Sequence, residues 1–145
     1  MSRSGYSENL DEWALIRWRG AVKKALRGER GQAFLREMLT AMDAMPEKAL
    51  ISGELIDSDG ACCAMGTVCK ARGLDVSNLD YEASEDVGGA LGIARAMAAE
   101  ISYENDECGP PHWNKPGGET PQERFIRMRT WIASKLRAHP APAQP

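Results

Sequence analysis

The sequence predicts a mainly α fold, a compact bundle of about five helices with at most one short β-hairpin. Three observations lead to it. Apolar residues recur at three- and four-residue spacing in several stretches. Glycine and proline stop signals separate those stretches. Only one short run, ALISGELID at 49–57, reads as a strand. A chain of 145 residues is one domain by length and long enough to bury a core. We place that domain at 7–137, between a flexible N-terminus (1–6) and a disordered Pro/Ala tail (138–145).

The first helix starts at a Ser7 or Asn9 cap and runs to about Arg27. Acidic residues near its start and Lys23, Lys24 and Arg27 near its end suit the helix dipole. Leu15, Trp18, Val22 and Leu26 form its core stripe. Trp13 and Ile16 fall on another side, among Arg17, Lys23, Lys24 and Arg27. Apolar side chains among cations mark a second buried face or a contact surface. Gly28 and Gly31 bracket a break, and a second helix covers 32–45 until Pro46 stops it. Its apolar face holds Phe34, Leu35, Met38, Leu39, Met42 and Met45, read as adaptable core.

The hairpin pairs 50–57 with 61–64 around Ser58-Asp59-Gly60, unless the Cys62 stretch already begins the next helix. That helix ends near Arg72, with Gly73 beyond it. Asp57-x-Asp59-Gly60 fails as a calcium loop, because the first and last ligand positions would fall on Leu55 and Gly66. Ser84 caps a short helix that Gly88, Gly89 and Gly92 weaken. A longer helix runs from about 93 to 104 and carries Met97 and Ile101 on its core face. Residues 108–119 form a loop with three prolines and three glycines. Thr120-Pro121-Gln122-Glu123 starts the last helix, whose core face is Phe125, Met128, Ile132 and Leu136.

Charge is mild in total, −3, and uneven along the chain. Residues 1–48 carry +2, residues 49–110 carry −9 and residues 111–145 carry +4. Basic ends therefore flank an acidic middle, a polarity able to steer a partner or order subunits of a homo-oligomer head to tail. The total argues against a protein that coats DNA uniformly. No run of about eighteen apolar residues is present, so no membrane span or membrane partner is expected. No apolar segment follows Met1, so no signal peptide is read there.

Without an export signal, the four cysteines (Cys62, Cys63, Cys69 and Cys108) are expected as reduced, small core residues. A zinc site from them and His112 would need a short first hook, and the Cys62–Cys69 spacing is too long. We therefore assign no metal and no cofactor. Glu100, Glu104, Asp106 and Glu107 offer hard oxygen ligands, but such clusters are usually solvated helix ends. No phosphate-binding loop, dinucleotide fingerprint or zinc-protease motif is present, and no catalytic residue is assigned. The chain is read as a non-enzyme.

Residues 85–101 resemble a helix-turn-helix, with Gly92 in the turn. The second helix offers one cation, Arg95, with acids on both sides, so it is expected to pack rather than read DNA. The better nucleic-acid surface is the first helix, through Trp13, Arg17, Lys23, Lys24 and Arg27, with Arg124, Arg127 and Arg129 as additions. The acids Glu104, Asp106 and Glu107 sit at the C-terminal end of their helix, the wrong end for negative charge. A broken local rule of this kind points to function or to a basic neighbour.

Four stretches resemble a widespread group of small uncharacterised proteins encoded by phages and prophages: 30–51 (RGQAFLREMLTAMDAMPEKALI), 71–80 (ARGLDVSNLD), 90–107 (ALGIARAMAAEISYENDE) and 119–131 (ETPQERFIRMRTW). The resemblance implies an accessory protein of a mobile element in a bacterial cytoplasm, acting by binding. The leading expectation is a non-enzymatic inhibitor of a host factor, in antiviral defence: a host protein or defence complex, or a small nucleotide signal that it sequesters. Its expected working surface is Tyr103, Glu104, Asn105, Asp106 and Glu107 with His112 and Trp113 of the following loop. The competing expectation is a small nucleic-acid-binding regulator that uses the first helix.

Overall fold

The computed structural model describes residues 12–111 and 114–137. The flexible start and the tail expected at 1–6 and 138–145 lie outside those residues, as do His112 and Trp113. Six helices follow in order: α1 (Glu12–Arg27), α2 (Glu29–Asp43), α3 (Ala64–Arg72), α4 (Ser84–Leu91), α5 (Arg95–Glu107) and α6 (Pro121–Lys135). The fold is mainly α, as the spacing predicted. None of these helices is long and apolar enough to cross a membrane.

The break between α1 and α2 is shorter than expected. Only Gly28 lies between them, and α2 starts at Glu29 rather than near Gln32. Gly31 is inside α2 because the chain needs its missing side chain there. A Cβ on it would lie 1.9 Å from the Ala25 carbonyl oxygen. Gln32 then ties two helix ends together. Its Nε2 donates to the carbonyls of Leu26 (2.8 Å) and Lys135 (2.9 Å), and its Oε1 accepts from the Arg137 amide at 2.8 Å. Carbonyls at the C-terminal ends of α1 and α6 thereby gain donors.

The expected hairpin contracts to a single antiparallel bridge, Ile56 with Cys62. Asp57 closes the turn, its Oδ1 accepting from the amides of Asp59 and Ala61, both at 2.9 Å. The chain then passes straight into α3. The Cys63 thiol accepts from the Gly66 amide at 3.3 Å, and Gly73 ends the helix in the left-handed region at φ 71°. Both of the readings offered for this stretch are thus partly met: one bridge, then a helix.

α5 is the centre of the bundle and packs against α1, α3, α4 and α6. It is buried continuously from Ala96 to Ser102 and again at Asn105. One contiguous core unites it with Phe34, Leu35, Met38 and Met42 of α2 and Phe125, Met128 and Ile132 of α6. Each such side chain removed from water contributes about 1.5–3 kcal/mol before entropy. α1 contributes least, burying Val22 and Leu26. α6 opens on the predicted capping box, with Thr120 and Glu123 each accepting from the other's amide.

Candidate binding surfaces

The C-terminal end of α5 was the expected working surface, and the structure divides it. Asn105 is not on the surface: it is 1% exposed and acts as a tertiary knot. Its Oδ1 accepts from the Ala64 amide (3.1 Å), and its Nδ2 donates to the Ile51 carbonyl (2.9 Å) and to Asp106 Oδ1 (2.7 Å). Asp106 Oδ2 accepts from the Tyr81 hydroxyl at 3.0 Å, which fixes the 74–83 segment against the end of α5. Tyr103 and Glu104 are half-buried and Glu107 is exposed. The contact surface on α5 is therefore narrower than expected, with Glu107 outermost.

The misplaced acids do have a basic neighbour. Arg127 donates to the carbonyls of Glu104 (2.5 Å) and Asn105 (3.1 Å), and Arg124 to those of Asn105 (3.1 Å) and Leu50 (3.0 Å). Glu119, with a side chain 5% exposed, lies between them, 2.6 Å from Arg127 Nε and 3.4 Å from Arg124 Nε. Two guanidinium groups thus cap the negative end of α5. This corrects the use of α6 as an extension of a nucleic-acid surface. Arg124 and Arg127 are committed to the fold, and Arg129 pairs with Asp43 at 2.8 Å. Glu119 stands just before the Thr120 cap, so the first turns of α6 bring both arginines back to it.

The outer face of α1 stands open. Trp13 is 71% and Ile16 51% exposed, and Arg17, Lys23, Lys24 and Arg27 are exposed beside them. None of these four cations is ion-paired to another described residue. Their common side also carries Gly20, where an added Cβ would meet nothing within 4 Å. α4 and α5 do form two helices joined at Gly92 (φ 76°), but α5 is buried along Ala96–Ser102 and leaves no open face for a DNA groove.

The thiols are chemically quiet. Burial pushes Cys63 up to about 12 and Cys69 up to about 11, and it raises Cys62. Cys108 is pushed up to about 12 by burial and then by the neighbouring Glu104 carboxylate. A thiol held protonated at neutral pH is a poor nucleophile and a poor metal ligand. Among the described residues no three His, Cys, Asp or Glu side chains converge as a metal-holding group.

Two hollows were not legible in the sequence. One, of about 620 Å³, lies between the end of α2, the 57–62 turn, α3 and the start of α6; Met45, Ile51, Ala61, Thr67 and Lys70 help line it. The other, of about 160 Å³, is open to solvent and lined by Glu54, Leu55, Ile56, Val76, Leu79 and Tyr81. No protein-family model matches the chain, and neither a curated protein nor a solved structure matches it.

Proposed function

We propose that the chain is a non-enzymatic accessory protein of a phage or prophage, acting in the bacterial host cytoplasm by binding and inhibiting a host factor, in the manner of an anti-defence protein. The observation that supports it is the gathering of acids at one end of α5. Glu104 and Glu107 stand there, and the Tyr81–Asp106 hydrogen bond brings the segment bearing exposed Asp75, Asp80 and Glu82 to the same end. Such a surface imitates a phosphate backbone or fits a basic protein groove, where complementary charge sets partner choice and association rate.

The test is capture of a host partner by the tagged full chain, repeated with Glu104→Gln/Glu107→Lys. Asp106 is left intact because it holds Tyr81. The expected result is one stoichiometric partner whose activity the purified chain inhibits. The double variant should lose both capture and inhibition at an unchanged melting temperature. Equal recovery by the variant removes the acidic end from the interface.

The second reading, a nucleic-acid-binding regulator, draws on the exposed cations and Trp13 of α1. It predicts a gel shift that weakens steeply with salt and disappears in Lys23→Glu/Arg27→Glu. A small nucleotide signal as the target has room in the hollow of about 620 Å³, and would co-purify with the protein.

A further inference from the structure

The outer face of α1 joins three features. Exposed apolar side chains (Trp13 and Ile16) stand near its start. Cations continue along it, Arg17, Lys24 and Arg27 lying within about 80° of one another at 100° per residue. Between them Gly20 leaves a notch, where a Cβ would meet nothing within 4 Å among the described residues. A glycine inside a helix costs about 0.5–1 kcal/mol relative to alanine, and nothing within the fold uses it here. Close backbone approach from outside would use it.

A matching surface lies at the opposite end of the same molecule. α1 rests on the N-terminal part of α5: the Arg95 guanidinium stacks 5.5 Å from the Trp18 ring, and Ala21, Lys24 and Ala25 face Ile93, Ala94 and Met97 across a shallow groove. The Tyr81–Asp106 bond holds the 74–83 segment at the far end of α5, a helix about 20 Å long at 1.5 Å per residue. There the open hollow of about 160 Å³ is lined in part by Ile56, Val76 and Leu79. Glu54 at its edge and Asp75, Asp80 and Glu82 in the flanking chain are exposed. One end thus presents apolar groups among cations, and the other a small hollow, lined in part by Ile56, Val76 and Leu79, among carboxylates. The two cannot meet within one chain.

We propose that a second copy of this chain occupies the α1 face, in a head-to-tail contact. Ile16 or Trp13 of one copy enters the hollow of the next, and Arg17, Lys24 and Arg27 meet its carboxylates. The contact is heterologous, so it adds copies rather than closing a two-fold dimer. One four-turn helix face is small against a standard interface, so the association is weak and salt-sensitive. The inference stands apart from the host-factor reading, since the pure protein alone shows it.

The experiment is sedimentation velocity on the full chain over about 10–500 µM, at ~50 mM and ~0.5 M salt. Concentration-dependent association at low salt, abolished at high salt, is expected. Trp13→Ala/Arg17→Glu and Glu54→Lys should each be monomeric, with unchanged melting. Mixed together they should form a 1:1 dimer and nothing larger, because each retains the half the other lacks. Gly20→Gln fills the notch with a good helix former and no charge. It should weaken association at least about tenfold, and unfolding cannot explain that loss if the melting temperature holds or rises. A wild-type chain that stays monomeric at low salt overturns the proposal. So does a mixture that stays monomeric, and so does self-association of Glu54→Lys alone, which a symmetric α1-to-α1 dimer would give.

Discussion

At Gly20 and Gly66 the same substitution has opposite consequences, because the two sites differ in what lies beyond the hydrogen. A Cβ at Gly20 meets nothing within 4 Å, whereas one at Gly66 would lie 1.8 Å from the Leu55 carbonyl oxygen. In a monomer at high salt, Gly20→Ala gains only helix propensity, so stability should rise by about 0.5–1 kcal/mol. Gly66→Ala must push the 55–56 segment off α3, opening the Cys63–Leu55 and Ile56–Cys62 contacts with it. Overpacking against backbone costs roughly 3 kcal/mol. Urea midpoints of the two variants measure both effects. A destabilised Gly20→Ala would mean that α1 packs differently from the arrangement described.

At the scale of elements, α6 shows how a local signal becomes a pH response. Glu123 closes the capping box and also takes a hydrogen bond from Lys115. The Lys115 bond, then the Thr120 amide, hold its carboxyl at about 2, below the ordinary 4.5. Glu37, bonded by Arg72, and Asp43, bonded by Arg129, are lowered in the same direction. A carboxyl lowered in the folded state binds its proton more readily when unfolded. Its stabilisation is therefore complete above the unfolded value and is lost as pH falls through the folded one. Stability should decline from about pH 4.5 towards pH 2, and Glu123→Gln should flatten that decline while keeping the cap. Urea midpoints measured down that range test it; parallel curves for wild type and variant would remove Glu123 as a contributor.

This helix was readable in advance because cap, proline and glutamate lie within four neighbouring positions, Thr120 to Glu123. Gly73 and Gly92 as helix ends were readable for the same reason: a left-handed residue is chosen locally. What could not be read depends on distant partners. The start of α2 at Glu29 follows from Gly31 meeting the Ala25 backbone. The burial of Asn105 follows from contacts with residues 51 and 64. The hairpin signal was a correct local turn at Asp57, but the paired length was set by the entry into α3. Of the expected α5 surface, only the misplaced charge carried information, and it pointed to Arg124 and Arg127.

At the scale of the whole molecule, stability is distributed unevenly, and the distribution sets what can move. α6 is held by polar contacts at both ends: Glu119, Arg124 and Arg127 fasten its start to α5 and residue 50, and Gln32 donates to the Lys135 carbonyl at its end. Arg127→Ala leaves Glu119 with a single, longer partner in a nearly closed site. A loss of roughly 3 kcal/mol is expected in chemical denaturation, and a loss within 0.5 kcal/mol would mean the cluster is solvated. α1 is the opposite case. Its two buried residues, Val22 and Leu26, lie in its second half, so Glu12–Gly20 is anchored chiefly by the half-buried Trp18. Helices of that length are marginal alone and depend on packing. Amides from Arg17 to Gly20 should therefore open locally and exchange at least about 100-fold faster than those of Ala98–Ser102 in α5. Hydrogen exchange on dilute protein at high salt reads this directly, and equal protection of the two segments would contradict it. Raising the protein concentration at low salt should then slow exchange in α1 selectively, since a second copy supplies the packing that this end of the helix lacks.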